Sequence, residues 1–74
     1  MTEYEAMEVW QLAHDSSGPM RLSEAADELG YGNSHAVAKR ISAAWGWFHS
    51  QGFDAEAAEI ARTFVDRNGN FPWS

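Results

Sequence analysis

The chain has no cysteine, two prolines, and five lysine or arginine residues against eleven acids. Without cysteine there is no disulfide framework and no thiolate metal site, which fits a reducing compartment. The shortage of basic residues gives a net charge of −6. That balance argues against non-specific nucleic-acid binding, which depends on neutralising phosphates. No long apolar run is present, and the start Met1-Thr-Glu-Tyr-Glu5 is acidic. Neither a signal peptide nor a membrane span is expected, and a cytoplasmic protein is the plain reading. No repeat, low-complexity run or linker interrupts residues 1–74, which are read as a single domain.

What is present is aromatic and unevenly charged. A chain of this length buries only about 60% of its unfolded surface, so its stability is expected to be modest. Four Trp, four Phe and two Tyr offset part of that deficit. Seven acids lie from Glu3 through Glu28 and four from Asp54 through Asp66, with none between Gly30 and Phe53. Lys39 and Arg40 stand in that gap without local acidic competition.

The hydrophobic spacing predicts four helices, near residues 3–14, 23–30, 34–51 and 54–67. Thr2 and Glu5 form a capping box for the first, whose broad apolar side is Tyr4, Met7, Val9, Trp10 and Ala13. Ser23 is the expected cap of the second, with Leu22, Ala25, Ala26 and Leu29 inward. Asn33 or Ser34 caps the third, which Gly52 ends as a C′ residue. Val37, Ile41, Ala44, Trp45 and Phe48 lie along one stripe of it. The opposite side carries His35, Lys39, Ser42, Ala43 and Gly46. Gly46 weakens a helix by roughly 1 kcal/mol relative to Ala, so a compensating close approach is expected there.

Phe53 and Asp54 read as a hydrophobic N′ residue and an N-cap for the fourth helix. Its buried side would be Ala57, Ala58, Ile60, Ala61, Phe64 and Val65. Asn68-Gly69 would end it, leaving an aromatic tail over residues 70–74. Asn-Gly is also a type I′ turn signal, so residues 63–71 could instead form a hairpin, giving a winged helix. The helix is favoured, because residues 56–60 already set a helical rhythm and Pro72 would interrupt a return strand.

The stretch from Leu22 through Ile41 reads as a short helix, a glycine-bearing turn and a second amphipathic helix. It resembles the helix-turn-helix superfamily of transcription factors, through Ala26, Leu29, Gly30, Val37 and Ile41. The turn Gly30-Tyr-Gly-Asn-Ser34 is about one residue longer than usual. The resemblance covers about a quarter of the chain. It implies an all-α, compact four-helix helix-turn-helix domain whose third helix enters the major groove of double-stranded DNA. A transcriptional regulator or accessory factor follows from it.

On that reading, Asn33, Ser34 and His35 donate to phosphate or base edges, aided by the helix dipole. Lys39 reaches guanine acceptors, Arg40 contacts phosphate, and Ala43 continues the same face. So small a module would act as a homodimer or beside a protein partner. The plain alternative is that these are solvated surface groups with two capping residues.

A competing function is an acidic protein-binding adaptor or inhibitor on the same scaffold. Its first two helices would meet a basic partner, with Trp47 or Trp73 as anchor. Trp47 could equally pack on the core, and Trp73 reads first as folding back to cover the core, with a docking peptide as the alternative. No nucleophile, glycine-rich phosphate loop or carboxylate pair emerges, so neither catalysis, cofactor nor small-molecule substrate is expected. His35 and His49 stand too far apart on one helix to share a metal ion. Asp66 through Asn70 lacks the closing Glu of a calcium loop.

Overall fold

Four helices pack around one core, and a pair of two-residue parallel strands closes one end of it. The computed structural model describes residues 1–70. In chain order the elements are α1 (Glu3–Asp15), β1 (Met20–Arg21), α2 (Leu22–Leu29), α3 (Ser34–Ser50), α4 (Asp54–Thr63) and β2 (Phe64–Val65). The expected mostly helical class is observed. The parallel strand pair was not expected.

The helix ends follow local chemistry. At α1, the Glu5 N–H donates to the Thr2 hydroxyl at 3.2 Å, and the Thr2 N–H donates to the Glu5 carboxylate at 3.1 Å. These bonds, the backbone one foremost, hold the Glu5 carboxyl below its ordinary pKa. A lowered folded pKa means that the contribution is complete at neutral pH. It is lost as the pH falls through that lowered value. At α2 the helix starts at Leu22, with Arg21 in the cap position and no side-chain cap bond, so Ser23 is not the cap. Gly30 takes φ +78°, and the Tyr31 N–H donates to the Ala26 carbonyl at 2.8 Å. That is the long bond of a Schellman ending, a backbone shape glycine adopts without strain.

Asn33, rather than Ser34, caps α3, its Oδ1 accepting from the Ala36 N–H at 2.8 Å. The other end matches expectation: Gly52 takes φ +83°, and the Phe53 N–H donates to the Phe48 carbonyl at 2.9 Å. α4 then opens with Asp54 as its first helical residue. Phe53 occupies the cap position, so Asp54 is not the cap.

The largest correction concerns residues 64–67, which are not helical. The Thr63 hydroxyl donates back to the Glu59 carbonyl at 2.7 Å, and the chain then extends. Met20 pairs with Phe64 and Arg21 with Val65. Thr-Phe-Val favours extended backbone, and extension drives the Phe64 ring into the core, where it is fully buried. A reversal follows. The Asp66 N–H donates to the Asn70 carbonyl at 2.8 Å, and Asp66 Oδ1 accepts from the Asn68 and Asn70 N–H groups. Asn68-Gly69 thus sits within this turn rather than at a helix end. The described partner of β2 is β1, in parallel, not the second arm of a hairpin. The tail residues 71–74, with Trp73, lie outside the described residues.

Val9, Ala25, Val37, Ile41, Phe48, Ile60 and Phe64 knit the elements into the core. Of the expected α3 stripe, Val37, Ile41, Ala44 and Phe48 are buried, and Trp45 is half-buried against them. Ala58 is exposed, contrary to expectation, and so are Tyr4 and Met7, because the side of α1 that is buried is Ala6, Val9 and Ala13. Gly46 makes no close approach either: a Cβ built there meets nothing within 4 Å. Gly46→Ala should therefore stabilise the fold by about 0.5–1 kcal/mol, seen as a raised thermal midpoint.

Candidate nucleic-acid interface

The start of α3 projects into solvent. Asn33, Ser34, His35, Lys39 and Ala43 are all exposed; the positions of His35, Lys39 and Ala43 opposite the buried stripe require it, whereas Asn33 and Ser34 are open because they stand at the helix end. Asn33 spends its Oδ1 on the helix cap, which leaves its Nδ2 group as a donor. Lys39 stands one turn beyond His35 and forms no ion pair among the described residues. Backbone N–H groups of the first turn add the positive end of the helix dipole.

The strand pair brings further residues to this place. Arg21, Ser23, Ser34, Asp66, Arg67 and Asn68 line one recess of about 450 Å³, together with Leu22. Arg21 and Arg67 are exposed, and the pairing of Arg21 with Val65 is what sets the 66–70 turn beside the starts of α2 and α3. The Asp66 carboxylate also faces the recess, but its Oδ1 is engaged by two N–H groups of its own turn. The recess thus joins two arginines to the hydroxyls of Ser23 and Ser34.

Sequence reasoning missed Arg21 and Arg67. Arg67 stood inside a segment read as helix, and Arg21 in a loop. The signal that was available is the Asn68-Gly69 pair, which marks a reversal next to a basic residue.

Arg40 has a different place. Its guanidinium donates to the Tyr31 hydroxyl at 2.7 Å and to the Glu8 carboxylate at 2.8 Å, and lies 5.5 Å from the centre of the Tyr31 ring. Its side chain is 18% exposed. The Tyr31 hydrogen bond is the main cause raising its pKa further, with the charge of Glu8 adding to it. Arg40 ties α3 to the turn and to α1 instead of presenting a free cation for phosphate.

Trp47 is likewise occupied within the protomer. It is half-buried, edge-on to Phe48 at 5.1 Å and tilted against Phe53 at 6.3 Å. Trp10 stacks on His14 at 4.9 Å, while Glu59 accepts from the Trp10 indole N–H and contacts His14 Nδ1 at 3.0 Å. These contacts fasten α1 to α4. Among the described residues no group of three or more His, Asp or Glu could hold a metal ion, and no helix is long and apolar enough to cross a membrane. The chain matches no protein-family model, no curated protein and no solved structure.

Proposed function

We propose that this chain binds double-stranded DNA through the exposed start of α3, as a transcriptional regulator or accessory factor. One observation carries the reading: an acid-free helix start, bearing Ser34, His35 and Lys39, is flanked by Arg21 and Arg67. Ser34 and the first-turn N–H groups suit a phosphate, and a helix end seated on phosphate points its next turn into the groove. His35 and Lys39 then face base edges, where lysine matches the guanine acceptors. Arg21 and Arg67 suit the flanking backbone, a role that positions without reading sequence.

Three free cations make a weak electrostatic footprint on a chain of net charge −6. Affinity must then come from base contacts and from a second module, either another copy of the chain or a protein bound beside it. Selection from a pool of random duplexes, at low and at moderate salt, tests this. The expected result is an enriched sequence whose binding weakens steeply with salt, by a log–log slope of about −0.9 per phosphate contact. No retention of any duplex at low salt would overturn it.

A further inference from the structure

A second recess runs between α1 and the far end of α2. Tyr4, Met7, Leu12 and Leu29 are its apolar lining residues, and it is open to solvent over about 1000 Å³. Tyr4 is 87% exposed and Met7 43%, on the side of α1 turned away from its buried residues Ala6, Val9 and Ala13. Glu3, Glu8, Asp15 and Glu28 also line the recess, and no lysine or arginine does. Arg40 neutralises Glu8, whereas Glu3, Asp15 and Glu28 have no ion-pair partner among the described residues. An apolar trough between two helices, edged with unpaired carboxylates, fits one kind of occupant.

We propose that this groove docks an amphipathic helix of another protein, with leucine-like anchors flanked by lysine or arginine. A helix laid in a groove uses anchors at i, i+3, i+4 and i+7, and the two-helix trough offers that geometry. The charges choose the partner. A second copy of this chain, seated by two-fold symmetry, would set the same acids against each other. A phosphate backbone meets the same repulsion. The groove shares no lining residue with the recess at Arg21 and Arg67, so both can be filled at once. This docking therefore stands or falls independently of DNA binding.

The test uses the full chain and a synthetic helical peptide of about four turns, with leucine anchors and lysine flanks, against a counterpart with glutamate flanks. Calorimetry should show micromolar binding of the lysine peptide that weakens with salt, and at least about tenfold weaker binding of the glutamate peptide. Amide shift changes should concentrate in residues 3–15 and at Glu28 and Leu29. Tyr4→Ser with Met7→Ser should lower affinity by about tenfold or more, while Asp54→Lys, outside the groove, should change it less than about twofold. Both altered residues in the first variant are exposed, so it should fold. Four results would overturn the proposal: equal binding of both peptides, equal loss on Asp54→Lys, shift changes elsewhere, or self-association that the Tyr4 and Met7 variant abolishes.

Discussion

Phe64→Ala should leave the chain largely unfolded at ordinary temperature. The ring is completely buried, and it sits where β2 joins β1 to the helical core. Truncating a buried Phe to Ala costs about 3–5 kcal/mol, from lost transfer energy and the cavity left behind. A single core of this size supplies about the same amount in total. Far-UV circular dichroism should therefore show a melt shifted far down or absent. Phe64→Leu keeps most of the volume and should fold with a smaller loss. A Phe64→Ala chain that melts close to the parent would mean that β2 is not part of the core.

The second large effect concerns binding. Lys39→Glu combined with Arg67→Glu should reduce affinity for a selected duplex by about a hundredfold or more at moderate salt. Two cation contacts vanish and two repulsions replace them. The log–log salt slope should also become shallower by about 0.9, the share of the one phosphate contact assigned to Arg67. Both side chains are exposed and neither forms an ion pair among the described residues. Stability should then change by no more than about 0.5 kcal/mol. Arg40→Ala should behave in the opposite way. It removes the bonds to Tyr31 and Glu8, so the melting point should fall while the salt slope is retained. If the double reversal leaves affinity and slope intact, the α3 start and the 66–70 turn are not the contact surface.

Helices were legible where the signal is local. The Thr2–Glu5 capping box, the glycine endings at Gly30 and Gly52 and the Val37–Phe48 stripe all operate within a few residues, and each is found in the structure. The strands were not legible, because each is two residues long and its ladder partner lies far away in sequence. Alternation cannot be read from two residues, so Thr63-Phe-Val reads as a continuation of the preceding helical rhythm. The exposure of Tyr4 and Met7 follows from helical phase. At about 100° per residue they fall away from Ala6, Val9 and Ala13, so grouping them with Val9 makes the apolar side of α1 too broad.

The candidate site divides along the same line. The exposed face of α3, with His35, Lys39 and Ala43, follows from helical geometry alone and is where the sequence placed it. Arg40 differs by a single residue step of about 100° from Lys39, enough to bring it beneath the Tyr31 ring and against Glu8. Arg21 and Arg67 join the site only through strand pairing, which no nearby residue announces. Trp47 packs on Phe48 and Phe53, as a tryptophan on the flank of an apolar stripe can.

Amide shift mapping of the isotope-labelled chain against its selected duplex, at low salt, locates the contact surface residue by residue. The largest changes should run from Asn33 to Lys39 and from Asp66 to Asn70, with Arg21 joining them and α1 nearly silent. Changes that avoid the start of α3, or their absence at saturating duplex, would contradict that placement.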